Sequence, residues 1–99
     1  MSAAKQPIYQ VRLRSRRVQR ELDALSQADY RRVTSAIQGL ATEPRPRGSV
    51  QLEEDIFRIR VGRYRVIYSV NYDEHVVEVG GIRRRTEGTY RGIRDIFSD

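Results

Sequence analysis

The sequence predicts an α+β domain: an N-terminal strand, then a helical hairpin packed on one face of a mostly antiparallel sheet of four or five strands, and a short C-terminal helix. Three observations predict it. Phe57, Ile59 and Val61, then Tyr64, Val66, Tyr68 and Val70, alternate with basic or other residues on either side of Gly62, as two strands joined by a tight turn would. Upstream, Val18, Leu22 and Leu25, then Tyr30, Val33, Ile37 and Leu40, recur at three- and four-residue steps, the spacing of amphipathic helices. Between the two patterns Pro44, Pro46 and Gly48 end the helical ladder, because proline lacks the N–H that would continue it.

Taken in order, residues 1–6 are small or polar and are expected to fray. Pro7 suits the start of a half-buried strand over Ile8–Leu13, in which Tyr9, Val11 and Leu13 alternate with Gln10 and Arg12. Ser15 is placed to cap the first helix, and Ser26 with Asp29 forms a loose capping box for the second. Only a residue or two separates the helices, so they should form a hairpin. The loop TEPRPRGS carries Arg45 and Arg47, Val50–Glu53 is a short strand, and residues 53–55 turn into the central hairpin. Asn71–His75 has turn chemistry and HVVEVGGI reads as a further strand. Gly80 and Gly81 imply a bulge or a close backbone approach, which leaves the facing of Arg83, Arg84 and Arg85 open by one residue. Residues 87–97 form a short helix or turn carrying Tyr90, Ile93 and Phe97. Tyr9, Tyr30, Tyr64 and Tyr68 fall on apolar stripes and are assigned to the core.

At 99 residues the chain suits a single domain spanning 1–99, with one modest core and no room for a large cofactor domain. Nineteen Lys and Arg against 13 Asp and Glu give a formal charge of +6 and a pI near 10.3, which favours a polyanionic partner. Residues 56–94 hold nine arginines and four acids, so most of that excess lies in one region. Absence of cysteine excludes disulfides, a thiolate nucleophile and a Cys-based zinc site. The N-terminus lacks the apolar core of a signal peptide, and no stretch approaches the roughly 20 apolar residues of a membrane span, so a soluble cytoplasmic protein without a membrane partner is expected. No Walker A loop, GxGxxG, GxSxG or HExxH is present, and no cofactor is expected.

Strand alternation gathers Arg58, Arg60 and Arg65, with Arg63, on the face opposite the core. Like charges on neighbouring strands repel by roughly 0.2–1 kcal/mol when directly opposed, so an anionic ligand would compensate. Guanidinium forks bind phosphate oxygens through charge-assisted, often bidentate bonds, and Arg83, Arg84 and Arg85 could extend the patch. The competing reading is an ordinary solvated surface. Tyr90, between Thr89 and Arg91, either stacks on a base or packs in the core. His75, the only histidine, lacks the partners that a metal site or a general base needs.

FRIRVGRYRVIYSV followed by VVEVGGIRRRTEGTYR resembles the RelE/ParE superfamily of toxins from type II toxin–antitoxin pairs, and within it the RelE-type, ribosome-dependent mRNA endonucleases (mRNA interferases). The resemblance runs from about Ile8 to Phe97 and is strongest at the strand 62–68. It implies a metal-independent endoribonuclease that inhibits translation, with a cognate antitoxin, the ribosome and mRNA as partners. Within that likeness Arg65 matches the arginine that contacts the scissile phosphate, and Arg58 and Arg60 fill two basic positions that are lysine in well-known members. Arg84, or else Arg83 or Arg85, matches the arginine assigned to leaving-group protonation, and Tyr90 matches the C-terminal tyrosine on the substrate nucleotide. Arg63, Arg83, Arg85 and Arg91 would add RNA contacts. Two departures are a shorter loop before Tyr64 and arginine in place of lysine; since arginine stays protonated, the identity of the general base is open. ParE-type members instead inhibit DNA gyrase without nuclease chemistry, which is the alternative the same resemblance allows.

Overall fold

The central hairpin decides the layout of the sheet. In the computed structural model, which describes residues 8–85 and 93–97, strand β3 (Ile56–Val61) and strand β4 (Tyr64–Asn71) are joined by the two residues Gly62 and Arg63. Gly62 has φ +58°, a conformation that costs glycine little and suits the first loop position of a tight hairpin. A second turn over residues 72–75, with His75 at φ +56°, leads into β5 (Val76–Arg84). The N-terminal strand β1 (Gln10–Leu13) pairs with β5 in parallel, and the short β2 (Val50–Gln51) pairs with β3, giving the order β1-β5-β4-β3-β2.

Between β1 and β2 run α1 (Arg16–Asp23) and α2 (Gln27–Gly39). The Ser26 hydroxyl accepts the Asp29 N–H at 3.2 Å, as the capping box requires. Ser15 caps differently: its side chain makes no capping bond, and its carbonyl accepts the N–H of Val18 at 3.1 Å. Val18, Leu22, Val33, Ile37 and Leu40 pack on Phe57, Ile59, Tyr64, Val66, Tyr68, Val70, Val77, Val79 and Ile82, which form the helix-facing side of the sheet. Phe57 and Tyr68 are cross-strand partners whose rings stack at 5.8 Å. The buried Tyr68 hydroxyl donates to the Pro44 carbonyl at 2.8 Å, which ties the proline loop to the core. Tyr30 departs from expectation: it is 38% exposed and, instead of joining the core, lines a groove with Val11 and Leu13 of β1.

The opposite face is not left wholly to solvent. Ile56 and Ile67 are buried beneath a C-terminal 3₁₀ turn, Ile93–Phe97, which brings Ile93, Ile96 and Phe97 onto them with Leu52. Gly80 makes this possible, since a Cβ there would lie 2.5 Å from the Phe97 ring and 2.6 Å from Ile96. Gly80 is also the bulge. Tyr68 faces Val79 while Ile67 faces Gly81, so Gly80 is the unpaired extra residue. The insertion reverses the facing of everything after it, which brings Ile82 under the helices, Arg83 level with Arg65, and Arg84 level with Tyr64.

Candidate nucleic-acid interface

Three arginines stand abreast across the three central strands, near the Gly62 turn. Arg60 on β3 faces Arg65 on β4, and Arg65 faces Arg83 on β5. Beyond them the Arg85 N–H donates to the Arg63 carbonyl at 2.8 Å, a rung that continues the β4–β5 ladder past its last pair and sets Arg63 beside Arg85. Among the described residues, Arg63, Arg65, Arg84 and Arg85 line one open concavity of about 570 Å³. Two strand ends and a glycine turn thus bring together four cations that lie up to 22 positions apart in the chain. Such a cradle suits phosphate oxygens, because each guanidinium offers a planar fork of donors and stays charged.

The other expected residues are placed differently. Arg60 is exposed next to the cradle and does not line it. Arg58 sits two pairs further from the turn than Arg60, opposite Ile67; it is half-buried, and its Nε has no hydrogen-bond partner among the described residues. Arg83, an expected RNA contact, is paired within the protein. Its Nη1 donates to Glu21 Oε2 on α1 at 3.1 Å. Tyr90 and Arg91 lie outside the described residues. His75 is at the far end of the sheet, where its ring meets Tyr9 edge-on at 5.0 Å, well removed from the arginines.

Glu21 is the neighbour that sequence reasoning missed. Its only signal was the four-residue spacing from Arg17 on α1, with which it pairs at 3.1 Å, and that spacing is common on solvated helix faces. Charge is also divided along the sheet. A cavity of about 450 Å³ at the turn after β4 is lined by Asp55, Asp73, Glu74 and Glu78 with Arg12, opposite in sign to the arginine end. Glu78 there pairs with Arg14 at 2.8 Å and Arg12 at 3.4 Å, and Asp55 holds Arg94 of the C-terminal turn at 3.0 Å. Among the described residues no group of His, Asp and Glu is arranged to hold a metal ion, and no helix is long and apolar enough to cross a membrane.

Residues 12–88 match the family described as the ParE toxin of the type II toxin-antitoxin system parDE. The chain belongs to the RelE/ParE superfamily of toxins. The RelE of the archaeal RelE–RelB complex from Pyrococcus horikoshii is 32% identical, with a TM-score of 0.71 over 82% of this chain and 99% of that one. RelBE2 from Mycobacterium tuberculosis, also a toxin–antitoxin complex, is 25% identical with a TM-score of 0.68 over 81% of this chain and all of that one. The RelE1 protein of Methanocaldococcus jannaschii is 28% identical over 81 residues, 77% of this chain and 89% of its own length. The fold is that of these RelE relatives: two helices on a five-stranded, mostly antiparallel sheet. In this RelE/ParE toxin the matched span covers all four of the cradle's arginines, Arg63, Arg65, Arg84 and Arg85.

Proposed function

We propose that this toxin is a ribosome-dependent endoribonuclease that cleaves mRNA without a metal. The observation that carries the reading is the single concavity into which Arg63, Arg65, Arg84 and Arg85 converge. RNA brings its own nucleophile. Attack of a ribose 2′-oxygen on the adjacent phosphorus breaks the bond to the 5′-oxygen, leaving a cyclic phosphate on one fragment and, once that oxygen takes a proton, a hydroxyl on the other. The transition state concentrates negative charge on phosphate oxygens, which preorganised cations stabilise, and orientation of the attacking oxygen supplies much of the rest. In this reading Arg65 binds the scissile phosphate with Arg60 beside it, Arg84 stabilises the departing oxygen, Arg58 supports the row from two pairs further along β3, and Tyr90 stacks on the base. Arginine is a poor proton acceptor, so the 2′-OH proton goes to Tyr90 or to a group of the ribosome.

A cognate antitoxin is the expected protein partner, since the similar RelE chains were solved with RelB-type partners. The groove lined by Val11, Leu13, Leu22, Tyr30 and Ile37, beside the outer edge of β1, offers apolar surface for such a segment. With ribosome and antitoxin as partners the protein works in the cytoplasm. A second reading, inhibition of DNA gyrase, has one observation in its favour: the matching family is described by its ParE member. Toe-printing on translating ribosomes separates the two. Cleavage at the ribosomal A site that falls by about 10²–10³ with Arg65→Ala is the expected result. Intact mRNA with broken DNA after induction would move the assignment to gyrase.

A further inference from the structure

Strand β1 ends at Leu13, paired with Val79, whereas β5 runs on to Arg84. Past Val79 one edge of β5 therefore has no neighbouring strand among the described residues, at the very stretch that delivers Arg84 to the cradle. Helix α1 takes the place of the missing strand. Arg17 Nη2 donates to the Gly80 carbonyl at 3.4 Å, and the Glu21 Oε1 accepts the Ile82 N–H at 3.0 Å. The two side chains lie one helical turn apart, so they reach successive edge groups of the strand much as an adjacent strand would. The second oxygen of Glu21 is shared between Arg17 Nη1 and Arg83 Nη1, each at 3.1 Å.

We infer that Glu21 is a positioning residue: one carboxylate oxygen fixes the bulged end of β5 so that Arg84 meets the cradle, while the other holds Arg83 out of the anion site. The inference rests on the RNA-binding reading of that site, but its structural half does not. It follows from the register. Gly80 puts Arg83 on the same face as Arg65, where a third cation would crowd the row, and the helix carboxylate neutralises it. Glu21 thus sets how many cations the site presents, as well as where the last of them stands.

Two variants divide these roles. Glu21→Gln keeps an oxygen for the Ile82 N–H but replaces the oxygen that holds Arg83 with an amide donor; Glu21→Ala removes both. In amide hydrogen exchange on the folded chain, Ile82 should be slow in the native protein, stay slow in Glu21→Gln and become fast in Glu21→Ala. In NMR without RNA, the Arg83 side-chain Nε–H signal should move in both variants. With a single-stranded RNA oligonucleotide, the slope of log affinity against log salt should steepen by about 0.7 in Glu21→Gln, one added phosphate contact, and return to the native value in Glu21→Gln/Arg83→Ala. Cleavage should follow Ile82 rather than Arg83: retained in Glu21→Gln and reduced by about tenfold or more in Glu21→Ala. Equal Ile82 protection in Glu21→Ala would overturn the positioning role, and a slope that stays steep in the double variant would overturn the withdrawal of Arg83. If the native chain binds no RNA at all, the reading of the cradle falls instead, and the exchange and Nε–H measurements still decide whether Glu21 brackets the strand.

Discussion

Arg60 and Arg65 are direct cross-strand partners on the face turned away from the helices. Their Cβ atoms in such a pair stand about 4.5–5.5 Å apart, so two like charges oppose each other across the sheet. Replacing one with a neutral side chain of similar length should relieve that repulsion. Arg60→Gln is expected to raise stability by about 0.2–1 kcal/mol in urea unfolding at low salt, while weakening RNA binding. A variant that loses stability along with affinity would show that the row serves the fold rather than a ligand.

Four arginines around one concavity set a salt dependence. If each neutralises one phosphate of a single-stranded RNA, log affinity should fall with log salt at a slope of about −2.8. Alanine at Arg63, Arg65, Arg84 or Arg85 should each reduce that slope by about 0.7, measured by fluorescence anisotropy between 50 and 300 mM salt, roughly the range in which such slopes are read. A slope unchanged by all four substitutions would remove the cradle from the binding site.

Gly80 carries the C-terminal turn against the sheet. Gly80→Ala places a methyl 2.5 Å from the Phe97 ring, and the overpacking should destabilise by about 1–3 kcal/mol in urea unfolding. Trimming the obstacle tests the cause: Phe97→Ala in the Gly80→Ala background should cost less than the two single changes added together, because the closer of the two clashes is gone and only the one with Ile96 remains.

The Tyr68 hydroxyl is pushed above the ordinary range for tyrosine, chiefly by burial, with its hydrogen bond to the Pro44 carbonyl needing the proton as well. In the unfolded chain this group titrates near its usual value of 10.0. The folded state keeps the proton when the unfolded state has lost it, so stability is fully present below pH 10 and falls above it by up to about 1.4 kcal/mol per pH unit. Tyr68→Phe should lower stability by about 0.5–1.5 kcal/mol at pH 8 and abolish this part of the alkaline decline. Urea titrations at pH 8 and at pH 11 give both quantities, and a native-like decline in the variant would assign it to other groups.

Much of the architecture could be read before any coordinates. The alternation from Phe57 to Val70 specifies a hairpin whose faces differ, because a strand's side-chain period of two is a local property of the backbone. The same holds for the stripes that became α1 and α2, for the Ser26 cap, and for the glycine at the tight turn, each of which needs only neighbours a few residues away. Arg60 and Arg65 sharing a face followed from that period alone.

Beyond Gly80 the sequence by itself left Arg83, Arg84 and Arg85 open, since one extra residue in a strand exchanges the faces of all that follow. Packing between distant segments decided it: Ile82 is buried under the helices, and the ring of Phe97 occupies the space above Gly80. The pairing of Glu21 with Arg83, 62 positions away, has the same origin, as does the burial of Ile56 and Ile67 beneath the chain's end. Local period determined which residues alternate; only the tertiary structure chose where the alternation breaks and which arginine a helix carboxylate holds, because both depend on the burial of side chains that meet only after folding.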